Sequence, residues 1–266
     1  MLEPRTEAGR AGLRALTSDP LSVLLALDYD GTLAPIVDEP SKAAPAPGAV
    51  AALAALSALV GQVAVITGRA ADVAVALGGL DRVPQLVVLG QYGAQRWHGG
   101  AVTAWPPDPG LEPARHALAA LDLPAGVLVE DKGLSLSVHT RRAADPVAAL
   151  TRLHPLLSQV AADTGLAAHL GRMVVELRPA GFDKGRALTD LAGSFKTVAF
   201  AGDDIGDIAA FDAVDELRSR GTAGLLICSD STEGPGLLRD RADVVVPGPA
   251  GVVQLLEGLV SLLDPR

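Results

Sequence analysis

Short apolar runs built from Val, Ile, Leu and Ala recur along the chain at 22–27, 62–67, 85–89, 197–201, 224–228 and 243–246, and each stops at a small or polar residue. Their apolar residues are consecutive rather than alternating, which suits strands buried on both faces. Such strands belong to parallel sheets covered by helices. Between the first two runs, at 48–60, Leu53, Leu56 and Val60 recur at helical spacing, and 250–263 has the pattern of a closing helix. The chain is therefore predicted to be α/β, with a Rossmann-like parallel-sheet core.

The texture changes between 105 and 180. The turn-forming WPPDPG opens this stretch and RPAG closes it. Inside it the pattern predicts a helix over 111–121, a hairpin from 127–130 and 134–141, a helix over 146–162 interrupted near Pro155, and a second hairpin from 166–170 and 173–178. Such a segment makes a small antiparallel sheet backed by two helices. The expected organisation is a core of 1–104 plus 181–266 carrying an inserted α+β cap domain of 105–180.

Composition narrows the function. Hydrophobic residues are 49% and charged residues 20%, ample for a packed core. A net charge of −9 with no basic cluster, and aromatic residues at only 3%, argue against nucleic acid as a partner. A chain this acidic that handles phosphate must do so locally, with a metal ion or a few placed cations. Cys228 is the single cysteine, so an internal disulfide or a cysteine-based zinc site is not available. The first twenty residues lack the apolar stretch of a secretory leader, and no run approaches the roughly 20 apolar residues of a membrane span. A cytoplasmic protein with no membrane partner is expected.

The polar residues that end the apolar runs carry the chemistry. Asp28-Tyr29-Asp30-Gly31-Thr32 follows the first run, where ligands bind in open α/β sheets. Two carboxylates one residue apart on an extended chain point the same way, so one can act as nucleophile and the other as acid and base. Taken alone, the same residues also serve as an Asp-capped turn. Gly202-Asp203-Asp204-Ile205-Gly206-Asp207 follows the fourth run, and clustered hard oxygen ligands suit Mg2+. Thr67-Gly68-Arg69 ends the second run with a hydroxyl donor. Lys184 opens a predicted helix whose positive end also favours phosphate.

In this order the four motifs resemble those of the haloacid-dehalogenase (HAD) superfamily of phosphatases, which read DxDGT, Ser/Thr, Lys and GDxxxD. The resemblance implies a HAD core in which Asp28 attacks phosphorus through an aspartyl-phosphate, while Asp30 protonates the leaving oxygen and then activates water. Thr67 and Lys184 would hold the phosphoryl oxygens. Asp28, the Asp30 carbonyl and Asp203 would bind Mg2+, with Asp204 or Asp207 in support.

More narrowly, LDYDGTLAPI at 27–36 is similar to the trehalose-6-phosphate phosphatase family. Glu130, Lys132, His139 and Arg141 match its ExKxxxxxxHxR signature, and Arg172 and Glu176 fall in the cap strand leading to Lys184. Together with Gly68 and Arg69, these residues are implied to bind substrate. Ser135, Ser137, His139 and Arg141 alternate with Leu134, Leu136 and Val138, so the polar set shares one strand face. The sequence departs from the family at Gly206 and Ile208, which leaves the positioning of Asp207 less defined, and at Gln95 and Thr140, which bear on substrate detail more than on the reaction. The implied activity is Mg2+-dependent hydrolysis of trehalose-6-phosphate, in trehalose biosynthesis, by a protein expected to be monomeric. Other sugar phosphatases, acting on sucrose-phosphate or mannosyl-phosphoglycerate, and a non-catalytic sugar-phosphate sensor are the competing readings.

Overall fold

The computed structural model describes residues 3–37, 39–171, 173–230 and 236–264. The chain forms two compact units, Met1–Thr103 with Asp183–Arg266, and Ala104–Phe182.

In the larger unit helix α1 (Glu7–Ser18) leads into β1 (Val23–Leu27), α2 (Ala49–Ser57), β2 (Gln62–Ile66), α3 (Ala71–Gly78), β3 (Val87–Gly90), β4 (Gln95–His98) and β5 (Ala101–Ala104). The smaller unit holds α4 (Leu111–Ala119), β6 (Leu128–Asp131), β7 (Leu136–His139), α5 (Pro146–Thr164), β8 (Ala167–Gly171) and β9 (Val174–Arg178). The chain then returns to the larger unit through α6 (Lys184–Ala192), β10 (Thr197–Gly202), α7 (Ile208–Ser219), β11 (Ala223–Asp230), α8 (Gly236–Arg241), β12 (Val244–Pro247) and α9 (Gly248–Leu263). The larger sheet runs in the order β12-β11-β10-β1-β2-β3-β4-β5, and its strands are parallel from β12 to β3.

Every residue of β1 is buried, as the consecutive apolar run requires. The period of two then divides it. Val23, Leu25 and Leu27 join α2, α3 and α9 on one face, whereas Leu24 and Ala26 pack with α6 and α7 on the other. Two separate cores result, and the charged residues are left at the strand ends.

Several elements depart from the sequence-based expectation, which also lacks α3 and α8. Helix α1 is absent from it, because the face it buries consists of Gly9, Gly12 and Leu16, with one large apolar residue to mark it; a bond from the Thr6 hydroxyl to Asp243 also fixes it. The β4–β5 hairpin turns at Gly99 and Gly100, both at positive φ, and carries too few buried residues to betray itself by an apolar run. Helix α5 passes through Pro155 without interruption. Leu153 and Leu157, on either side of that proline and both buried, fasten the two halves to the same core, which offsets the backbone bond that proline removes.

The smaller unit has a four-stranded antiparallel sheet in the order β6-β7-β9-β8. Leu136, Val138, Val175 and Leu177 face α4 and α5, where Leu111, Leu118, Leu153 and Leu157 complete the core. The alternate residues of those strands lie on the opposite face. Among the described residues no helix is long and apolar enough to cross a membrane.

Candidate active site

Asp28 is the first residue beyond β1, and its amide donates to the Ala201 carbonyl at 2.9 Å, which continues the β1–β10 pairing past the strand end. The chain then turns through Gly31 at φ 80°. A Cβ at that position would fall on the Asp203 carboxylate, so glycine is what lets the two acidic loops approach. Ser229, at the end of β11, clamps the turn by donating to the Gly31 carbonyl at 2.7 Å.

Lys184 opens α6 and is buried. Its depth follows from Gly185, where any Cβ would strike the Ala209 carbonyl; α6 and α7 can therefore pack closely. The ammonium reaches Asp28 Oδ1 at 2.8 Å and Asp207 Oδ1 at 2.7 Å. Asp207 has no solvent exposure, and its other oxygen accepts from the amides of Asp203 and Asp204 at 2.9 and 3.2 Å. Asp204 in turn accepts from the Gly206 amide at 2.8 Å, forming with Asp207 a reciprocal cap on the turn before α7. Gly206 and Ile208 thus stand beside an Asp207 fixed by backbone and Lys184. Thr32 Oγ1 lies 3.5 Å from Asp203 Oδ1.

Carboxylate oxygens of Asp28, Asp203 and Asp207 all lie within 4.8 Å of one another. Burial drives the Asp28 carboxyl well above the usual carboxylate range, with Lys184 opposing and Asp207, Asp203 and Asp204 adding to the rise. Burial also pushes Asp203 up to about 8, reinforced by Asp207 and Asp204. For Lys184 burial works against the charge, but Asp207 and Asp28 outweigh it and hold the pKa well above that of an ordinary lysine. One ammonium thus faces several carboxylates in a dry cluster. The deficit of positive charge and the all-oxygen donor set fit a hard divalent cation.

Asp30 turns to a different partner. Both of its oxygens are held by Arg69, Nε at 2.6 Å and Nη2 at 2.7 Å. The guanidinium also lies 5.4 Å from the centre of the Tyr29 ring. Thr67, buried at the end of β2, accepts from the Arg69 amide at 3.1 Å. Gly68 passes so close to Tyr92 that a Cβ would come within 2.6 Å of its hydroxyl. Gln95 caps the start of α3, accepting from the Ala71 amide at 2.8 Å.

On the face of the smaller unit's sheet opposite α4 and α5, buried Glu176 is the hub. Lys132 and Ser135 reach its Oε1 at 3.0 Å, and Ser137 does so at 3.3 Å. Arg178 lies 3.6 Å from Oε2. His139 Nε2 is 2.9 Å from Glu130 Oε2, and Arg141 is exposed two residues past β7. Arg172 lies outside the described residues. The alternation along 134–141 signals Ser135 and Ser137, but nothing local singles out Arg178 or His169, which join this face through β9 and β8.

A largely parallel sheet of this order, with buried aspartates at the carboxyl ends of its central strands and a lysine at the start of α6, has the fold of a haloacid-dehalogenase-like hydrolase, as its likeness to one from Bacteroides thetaiotaomicron shows (TM-score 0.59, 14% identity, covering 89% of this chain and 98% of that one). The trehalose-phosphatase family profile matches residues 26–236. A probable trehalose-phosphate phosphatase of Sinorhizobium fredii is 34% identical over 221 residues, covering 79% of this chain and 80% of its own. A trehalose-phosphate phosphatase of Mycobacterium marinum is 36% identical over 203 residues; the match covers 70% of this chain and about half (50%) of that protein's length. The C-terminal domain of Candida albicans trehalose-6-phosphate phosphatase superposes with a TM-score of 0.81 at 19% identity, covering 98% of this chain and 100% of that one, a likeness of fold. The chain belongs to the trehalose-phosphatase family.

Proposed function

We propose that the protein hydrolyses trehalose-6-phosphate to trehalose and phosphate through an acyl phosphate on Asp28. The observation that carries this reading is Asp28 itself, buried at the end of β1 and 2.8 Å from an ammonium that can also meet a phosphoryl oxygen. The Asp28 carboxylate attacks phosphorus, the bond from phosphorus to the sugar 6-oxygen breaks, and Asp30 delivers a proton to that oxygen. Water then attacks the same phosphorus, Asp30 takes its proton, and Asp28 and inorganic phosphate are released. Lys184 neutralises equatorial phosphoryl charge. Thr67 spends a lone pair on the Arg69 amide, and its hydroxyl hydrogen remains for another oxygen.

Asp28, Asp203 and the Asp30 carbonyl are suited to hold Mg2+. Asp204 caps its turn, and Asp207, with both oxygens engaged, supports the set from behind. When bound, the ion neutralises charge on the carboxylates and the phosphoryl group, so that one anion can approach the other.

Residues 105–180 supply sugar recognition in this reading. Glu130, Lys132, His139, Arg141 and Glu176 offer the donors and acceptors that sugar hydroxyls need, with Arg172 as a further candidate and with Gly68 and Arg69 contributing from the larger unit. Phosphate release from trehalose-6-phosphate, sucrose-phosphate, mannosyl-phosphoglycerate and glucose-6-phosphate, with and without Mg2+, tests the assignment. Preference for any of the other three over trehalose-6-phosphate would overturn it.

A further inference from the structure

Two residues in succession adopt a left-handed backbone immediately after β3. Gln91 has φ 45° and Tyr92 has φ 58° with ψ 32°, and Gly93 follows at φ 97°. Residues with a Cβ seldom take this conformation, and such outliers cluster where a site requires them. What this turn holds is the Thr67-Gly68-Arg69 loop. The Gln91 amide donates to the Arg69 carbonyl at 2.8 Å, and the Tyr92 amide donates to the Thr67 carbonyl at 3.0 Å. Successive amides of an extended strand point to opposite neighbours, whereas the left-handed turn brings both to one. Tyr92 also packs its ring against Gly68, where a Cβ would come 2.8 Å from Cζ. On its other side the turn meets α6: a Cβ on Gly93 would lie 2.9 Å from the Ala187 methyl. The turn is thus wedged between the Thr67 loop and the helix that Lys184 opens.

We propose that Tyr92 is a positioning residue whose left-handed backbone holds the Thr67 hydroxyl where a phosphoryl oxygen needs it. The inference rests on the reading of Thr67 as a phosphoryl contact. Thr67 Oγ1 accepts from the Arg69 amide at 3.1 Å, so the direction left to its hydrogen is set by the loop. The Thr67 amide is itself tied to the Leu89 carbonyl at 2.9 Å, and Tyr92 fixes the Thr67 carbonyl. Both backbone groups of Thr67 are therefore anchored on 89–92, and a Tyr92 that leaves the left-handed region takes away the donor for one of them. Gln91 does for the Arg69 carbonyl what Tyr92 does for that of Thr67. A misplacement of about 1 Å is enough to cost a catalytic group much of its effect.

Tyr92→Asn, Tyr92→Ala and Tyr92→Val all remove the ring but tolerate the left-handed backbone in descending order. The substrate for the test is p-nitrophenyl phosphate, whose leaving group needs no proton from Asp30. On it kcat should stay within about threefold of wild type in Tyr92→Asn and fall about tenfold or more in Tyr92→Val, with Tyr92→Ala between them and KM moving less. Circular dichroism at the assay temperature checks folding, and if Tyr92→Val fails to fold, Tyr92→Asn against Tyr92→Ala carries the comparison. On a Thr67→Val background the same substitutions should cost less than about threefold more, because a residue that acts through Thr67 then has nothing left to position. Losses that multiply in the double variants would make Tyr92 merely structural and overturn the proposal. Equal losses in all three single variants would assign the effect to the ring and overturn it too. If Thr67→Val is impaired and the Tyr92 series is flat, the Tyr92 assignment is wrong while the reading of Thr67 stands. Wild-type kcat in Thr67→Val would remove that reading and the Tyr92 assignment with it.

Discussion

Arg69 grips Asp30 with two parallel bonds, Nε to Oδ2 at 2.6 Å and Nη2 to Oδ1 at 2.7 Å. The planar fork matches both carboxylate oxygens and fixes the carboxyl plane, which a lysine cannot do. Tyr29, buried under the same guanidinium, further restrains it. The geometry makes Arg69 a positioning residue for the proton donor as well as a candidate phosphate contact.

Arg69→Lys should therefore lower kcat on trehalose-6-phosphate by about tenfold or more, within the range that general acid catalysis contributes. p-Nitrophenyl phosphate has a leaving group that departs without protonation, and its kcat should fall by less than about threefold. Parallel losses on the two substrates would assign Arg69 to phosphate binding instead.

Asp28→Asn should abolish turnover on every substrate while the fold survives, because Lys184 retains Asp207 at 2.7 Å. A neutral amide cannot make the acyl phosphate. Steady-state assays and circular dichroism check both halves. Activity within about tenfold of wild type would exclude Asp28 as nucleophile.

The acidic cluster predicts opposite behaviour for two of its members. Chelated wild type should lose activity and regain it with Mg2+, which should also raise Tm. Asp203→Asn should erase the Mg2+-induced rise yet leave the chelated protein at least as stable as wild type, since it removes a carboxyl whose ionisation burial and the neighbouring Asp207 and Asp204 oppose. Asp207→Ala should destabilise the protein by about 3 kcal/mol or more, because the Asp203 and Asp204 amides lose their buried acceptor while Lys184 keeps only Asp28. Denaturant unfolding in chelator reads the difference; matching stabilities for the two variants would contradict the anchoring role of Asp207.

Glu130→Ala removes a carboxylate from the sheet face opposite α4 and α5 and leaves Glu176 and its partners in place. A hydrogen bond to the sugar is worth about 0.5–1.5 kcal/mol, and more when charged, so kcat/KM for trehalose-6-phosphate should drop roughly tenfold. Efficiency on p-nitrophenyl phosphate should hold. An equal drop on both would point to a folding role for Glu130.

The sequence alone determined the α/β core, because a strand buried on both faces writes a consecutive apolar run that no tertiary context is needed to read. It also determined that Asp28, Thr67 and Asp203 follow such runs and that Lys184 opens a helix, since strand ends and helix starts are local features. Helix α1 escaped because the face it buries is made of Gly9, Gly12 and Leu16 rather than an apolar stripe, and the β4–β5 hairpin because it buries too little to leave a period. Only the tertiary structure decided the pairings: Lys184 with Asp28 and Asp207, Arg69 with Asp30, and Glu176 with Lys132, Ser135 and Ser137. Coulomb attraction and strand register act between residues far apart in the chain. Their outcome depends on which backbones the glycines at 31 and 185 allow to approach, and composition and periodicity do not encode that distance.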